Sequence, residues 1–174
     1  ADCVLNMARH LGIANAPTDK VKLIFIPCYL NGDDGIVNMS YYDVVLGNDL
    51  CVYPSYYEPW GYTPLESIAF KVPCITTDLA GFGLWANRLK GKFCEITDGV
   101  KVIHRTDNNY FEVADSIKQT IKEYAAMDKK TVEKCRANAQ KLSKKALWRE
   151  FIQAYKTAYD IAIKNRDVRL RERE

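Results

Sequence analysis

Hydrophobic and polar positions along this chain follow two regimes. From about residue 21 to 103, short apolar runs alternate with polar, glycine-bearing stretches and brief helical periodicities. From Asn109 onward, apolar residues recur every three or four positions. Residues 3–12 read as the end of a helix, with Leu5, Ala8 and Leu11 on one side and Gly12 closing it. Residues 22–27 read as a buried strand and residues 31–35 as a loop. Ser40 reads as the N-cap of a short helix through Leu46. Residues 49–54 form a second predicted strand, 63–71 a second helix and 72–77 a third strand. Residues 79–83 are a predicted tight loop before another short helix, and 93–96 and 100–103 are predicted short strands, the latter at an edge. In the helical part, Phe111, Ala114, Ile117, Ile121 and Tyr124 share one face. Leu147, Phe151, Tyr155 and Tyr159 mark a last long helix, with Trp148 beside the stripe. Strand–helix alternation followed by helices predicts an α/β fold: a parallel, doubly wound sheet with helices on both faces and a helical C-terminal extension.

Composition narrows this picture. A length of 174 residues, 48% of them hydrophobic, suits one domain with a real core. We expect that domain to span residues 1–165, with 166–174 a charged tail that frays. The first residues read as the interior of an element, as in an excised fragment, and carry no basic, apolar, small-residue series of the secretory kind. No run reaches the ~18 uncharged apolar residues of a membrane span. Six scattered cysteines without a Cys-x-x-Cys pair read as buried thiols in a reducing, cytoplasmic setting. His10 and His104 have no ligand-like spacing, so no metal is expected. Residues 118–174 hold 16 Lys/Arg against 8 Asp/Glu. These charges alternate with acids at helical spacing and lack an aromatic–basic motif, so a solvated helix face is expected rather than a nucleic-acid surface.

The chemistry concentrates between Tyr53 and Glu66, at the carboxyl end of a predicted strand, where open α/β sheets bind ligands. Thr63-Pro64-Leu65-Glu66 fits a capping box, with Thr63 at the N-cap and Glu66 reaching back. The same helix start is an anion site, and Gly61 lets a diphosphate approach the amides of Gly61, Tyr62 and Thr63. Glu58, before Pro59, has no capping role. A carboxylate beside a phosphate cradle suits a hydroxyl-rich group, because it accepts hydrogen bonds from vicinal hydroxyls. Two carboxylates flanking such a cradle therefore suggest a sugar nucleotide. Glycoside hydrolysis by paired carboxyls is the lesser alternative, since it needs no phosphate cradle. Gly81-Phe82-Gly83 is a second close-approach loop, equally a plain turn or a ligand loop.

Glu58, seven residues, then Glu66 resembles the paired-glutamate motif of retaining glycosyltransferases with two Rossmann-like domains (the GT-B fold). The string from Pro54 to Pro64 closely resembles the animal and fungal type of glycogen synthase, and Thr76–Gly83 resembles the segment that follows, with Asp78 where that family usually has Asn. The resemblance covers roughly residues 20–90. It implies the C-terminal, donor-binding half of an enzyme that moves glucose from a nucleoside diphosphate, usually UDP, to the 4-hydroxyl of an α-1,4-glucan with retention and without a metal or other cofactor. By that resemblance Glu58 holds the donor sugar and helps position the reacting centre, and Glu66 holds the ribose. Gly61, Tyr62 and Thr63 contact the diphosphate, and Tyr41 stacks on the base, an ordinary packed aromatic being its competing reading. ADP-glucose as donor, another acceptor, a non-catalytic carbohydrate- or protein-binding module, and an oligomer in the full-length protein stay open. Residues 40–80 contain one cation, Lys71. Charge neutralisation of a bound diphosphate must then come from elsewhere, and the fragment is expected to be inactive alone.

Overall fold

The strands of this chain are short and parallel, and each successive pair is joined through a helix. The computed structural model describes residues 2–171, with side chains through Arg166. It divides into two units, Ala1–Val44 and Val45–Glu174.

In the first unit, α1 (Cys3–His10) is N-capped by Asp2, whose carboxylate accepts the amides of Val4 and Leu5. It closes at Gly12, whose amide returns to Arg9 O (3.0 Å). The strand expected over 22–27 does not form; the segment is irregular, and Val21 and Ile24 are exposed. A strand needs a neighbouring edge, and here the Asn15 side-chain amide takes that place. Its Nδ2 donates to Leu23 O and its Oδ1 accepts Leu23 N, both at 2.8 Å. The predicted 31–35 loop does form. Asp34 accepts the amides of Val37, Ile36 and Asn38, and these bonds hold its carboxyl below the usual range. α2 (Tyr41–Leu46) starts as expected after Ser40, whose hydroxyl accepts the Asp43 amide and donates to the Asp43 carboxylate.

The second unit holds β1 (Cys51–Val52), α3 (Tyr62–Ala69), β2 (Cys74–Thr77), α4 (Gly81–Lys90), β3 (Val100–Ile103), α5 (Tyr110–Ala125), α6 (Lys129–Ser143) and α7 (Trp148–Arg171). The sheet order is β1-β2-β3, all parallel, with Cys51 opposite Cys74 and Thr77 opposite Ile103. The period-2 alternation of strands sorts the helices. Cys74 reaches Pro64 of α3, and Val102 lies beneath Gly83 of α4. On the opposite face, Ile75 and Ile103 pack with Val113 of α5, joined by Val52 and Ile117. Helices therefore cover both faces, as the alternation predicts. A second cluster (Ile96, Tyr124 and Cys135, with Met127 and Val132) seats α6 against the end of α5.

Residues 93–96 are not a strand. The chain makes a 3-10 turn over Ile96–Asp98 instead, closed by Gly99. Asp98 anchors it, accepting the Glu95 amide and ion-pairing with Lys90 (2.9 Å) and Lys92 (3.1 Å). Partial burial alone would raise its pKa, but these bonds win and hold the carboxyl below its ordinary value. α7 continues to Arg171, so the backbone of the expected tail is helical that far; residues 172–174 lie outside the described residues.

The thiols divide between the units. Cys51, Cys74, Cys94 and Cys135 are buried, as expected, whereas Cys3, at the start of α1, and Cys28, in a segment that does not form a covered strand, are exposed. Burial pushes Cys74 well above the ordinary thiol range and Cys94 up to about 11. In native buffer at pH 8, Ellman's reagent is expected to titrate Cys3 and Cys28 quickly and the other four only on unfolding. Six fast thiols would contradict this core.

Candidate functional site

β1 ends at Val52, and the ladder continues one residue further, with Tyr53 N donating to Ile75 O at 2.8 Å. The chain then leaves the sheet through Pro54–Gly61, at the carboxyl ends of β1 and β2. This loop is pinned by the first turn of α4. Glu58 N donates to Leu79 O (3.3 Å), Gly81 N to Glu58 O (3.1 Å) and Phe82 N to Trp60 O (2.6 Å). No side chain caps α4, so the loop carbonyls take up amides that a helix start leaves without intrahelical partners. Gly81 permits this approach, since a Cβ there would lie 2.2 Å from Pro59 O. Gly83 does the same against Thr77, with 2.1 Å to its carbonyl oxygen. The Gly-x-Gly segment does make a close approach, but as the start of a helix packed under the Glu58 loop rather than as the tight loop predicted from its sequence.

The capping box expected at Thr63 is also absent. Gly61 is the N-cap of α3, at φ 113°, and no side chain caps the helix. The helix starts earlier than predicted because only glycine takes this backbone conformation without strain, which turns the chain at Gly61. Pro64 then occupies the third helical position, where its missing N–H would have had no helical partner anyway. Thr63 falls at the second position and Glu66 at the fifth, so neither stands where the predicted capping box needs it. The amides of Tyr62 and Thr63 open the helix at its positive end.

Glu58 is brought to this point. It is half-buried, and its Oε2 accepts the Ser55 hydroxyl at 3.0 Å. The same oxygen lies 3.5 Å from where a Cβ on Gly61 would sit. The carboxylate of Glu58 and the N-terminus of α3 are thus adjacent, while Tyr62 (exposed) and Glu66 (half-buried) share one face of the helix four residues apart. Tyr41 opens α2 in the other unit, its ring 5.4 Å from that of Tyr42.

The sequence reading missed the residues that hold this loop from the far side of the sheet. After β3, Arg105 Nη1 donates to Pro54 O (2.7 Å), and its guanidinium lies 4.6 Å over the Tyr56 ring. Tyr56 Oη donates to Asp107 Oδ1 (2.6 Å), and this bond raises the phenol's pKa. Thr77 Oγ1 donates to Ser55 O (2.6 Å). Asp78 accepts the Arg105 amide (2.9 Å) on one oxygen and meets His104 Nδ1 (2.6 Å) on the other. The available signal was positional: His104-Arg105 follows a strand directly, on the same carboxyl edge of the sheet as the glutamates. Beside the loop, Trp60 packs edge-on against Phe82, Trp85 and Phe151, fixing α7 to the site.

A loop carboxylate, an uncapped helix start and a cation at one sheet edge suit a ligand that combines phosphate and hydroxyl groups. The profile of the glycogen synthase family matches residues 1–168. The chain is 32% identical over 163 residues to glycogen [starch] synthase isoform 2 of Saccharomyces cerevisiae, covering 94% of this chain and 23% of that protein. It is 31% identical over 163 residues to glycogen [starch] synthase of Neurospora crassa, with the same coverage of each chain. To the liver glycogen [starch] synthase of Homo sapiens it is 45% identical over 82 residues, 47% of this chain and 12% of that protein. The chain thus spans about a quarter of the length of the fungal relatives.

Proposed function

The chain belongs to the glycogen synthase family, and from this premise we propose that it is the donor-binding part of a retaining glucosyltransferase that moves glucose from UDP-glucose to the 4-hydroxyl end of an α-1,4-glucan. The observation that carries the reading is the Glu58 carboxylate set beside Gly61 at the open start of α3. The positive end of α3 and the Gly61, Tyr62 and Thr63 amides receive the diphosphate. Glu58 accepts hydrogen bonds from the glucosyl hydroxyls and stabilises positive charge developing at the reacting carbon. Glu66 holds the ribose. UDP is favoured over ADP by the family.

In this reading the glucan reaches the site through a part of the enzyme outside these residues, and this chain alone does not catalyse transfer. The protein works in the cytoplasm, without a metal and without a nucleic-acid partner. Among the described residues no helix is long and apolar enough to cross a membrane.

Calorimetric titration of UDP and ADP into the protein, with and without EDTA, tests the reading. UDP is expected to bind more tightly than ADP, and Glu66→Ala is expected to weaken UDP about tenfold or more through the lost ribose bonds. Equal UDP affinity in the Glu66→Ala protein would remove Glu66 from the site, and binding abolished by EDTA would overturn the metal-free reading.

A further inference from the structure

Glu58 is fixed by the Ser55 hydroxyl of its own loop, on its carboxylate, and by backbone bonds to Leu79 and Gly81 at the start of α4. The Ser55 end of the loop has little else of its own to hold it. Tyr56 and Tyr57 are exposed, so apolar burial does not seat this segment. What seats it is polar and comes from the loop after β3, some fifty residues away in sequence. Arg105 Nη1 takes Pro54 O, its guanidinium lies over Tyr56, and Asp107 takes the Tyr56 hydroxyl. Arg105 is itself oriented through its amide on Asp78. Its Nε is buried without a hydrogen-bond partner, so the guanidinium holds this pose at the expense of one donor.

Ser55 lies between the two residues that Arg105 grips, and Thr77 holds its carbonyl. Any shift of Pro54 and Tyr56 therefore moves the hydroxyl that orients Glu58. We propose that Arg105 is a positioning residue for the transfer reaction: it clamps Pro54–Tyr56 so that Ser55 holds the Glu58 carboxylate in its reactive orientation. The proposal rests on the assignment of Glu58 made above. Arg105 acts through the loop and need not touch the donor. Its effect therefore falls on the chemical step, where misplacement of a reacting group by about 1 Å costs roughly 100-fold, and spares donor affinity.

The test is steady-state kinetics of glucosyl transfer by the full-length protein, alongside thermal unfolding, for Arg105→Ala, Arg105→Lys, Tyr56→Phe and, as a control, Glu58→Gln. For Arg105→Ala we expect kcat to fall about 10- to 100-fold, with KM for UDP-glucose and the unfolding midpoint near those of the parent. Arg105→Lys is expected to recover little, because an ammonium lacks the planar fork that stacks on Tyr56 while donating to Pro54. Tyr56→Phe keeps the stacked ring and loses only the Asp107 bond, so it is expected to fall between Arg105→Ala and the parent. An unchanged kcat in Arg105→Ala would overturn the proposal, as would a KM rising in step with a falling kcat/KM at constant kcat, or a loss of rate matched by loss of folded protein. If Glu58→Gln leaves kcat intact, the assignment of Glu58 fails first and the proposal falls with it. A damaged Glu58→Gln beside an unaffected Arg105→Ala refutes the clamp alone.

Discussion

Glu58→Gln in the full-length protein is expected to lower kcat for glucosyl transfer by about 100- to 1,000-fold, the range for removing one aimed electrostatic group, while the protein stays folded. The substitution preserves shape. The backbone of residue 58 is held on both sides, by Leu79 O and by Gly81 N, whatever the side chain. A glutamine oxygen can still accept the Ser55 hydroxyl, which Glu58 accepts at 3.0 Å. What disappears is a full negative charge in a half-buried position beside the start of α3. Retaining transfer between sugars passes through positive charge at the anomeric carbon, so a fixed anion matters more in the transition state than in the bound donor. The loss should therefore appear in kcat, with UDP affinity nearly unchanged. A rate within tenfold of the parent would show that the charge of Glu58 is not used.

Gly81→Ala is expected to destabilise the protein by about 3 kcal/mol, the upper range for overpacking, even though alanine is the better helix former by about 1 kcal/mol. The added Cβ would stand 2.2 Å from Pro59 O, 3.1 Å from Pro59 C and 3.2 Å from Trp60 Cα. All three are backbone atoms, so no rotamer change relieves the clash. Separating the two segments would stretch the Gly81–Glu58 and Phe82–Trp60 bonds, which cap α4 and seat the loop. The substitution should then weaken both the fold and the placement of Glu58. Gly91→Ala is the matched control. It has nothing within 4 Å and only the positive φ of a helix C-cap to strain it, so a loss of about 1 kcal/mol is expected. Urea unfolding of both variants decides the matter. If Gly81→Ala is as stable as the parent, the loop does not pack on α4 as described.

The two glutamates, the glycine between them and the strand–loop–helix frame were legible in the sequence because each depends on neighbours within a few residues. Alternation of period 2 and period 3.6 marks strands and helices locally, and a proline or a glycine constrains its own backbone. The same local logic misplaced the start of α3. A capping box at Thr63 and a glycine turn at Gly61 are both sound local solutions, and the choice between them depends on where the loop lands on α4. Residues 22–27 and 93–96 were misread for a related reason. An apolar run records that a segment wants cover, and only a neighbouring edge makes it a strand.

Arg105 could not be placed from its own surroundings, because its partners, Pro54 and Tyr56, lie about fifty residues upstream. Gly81 and Gly83 read equally as a plain turn or a ligand loop for the same reason: nothing near them in sequence shows that Pro59 and Thr77 lie against them. The sequence by itself determined the family and the strand–helix alternation from β1 to α4, and it marked the residues proposed above for the donor, since these are carried by residue type and short spacing. Only the tertiary structure decided which helix start is uncapped, which glycines are packed and which cation meets the Glu58 loop. Those are contacts between segments brought together by parallel strand pairing, a long-range arrangement that local propensity does not encode.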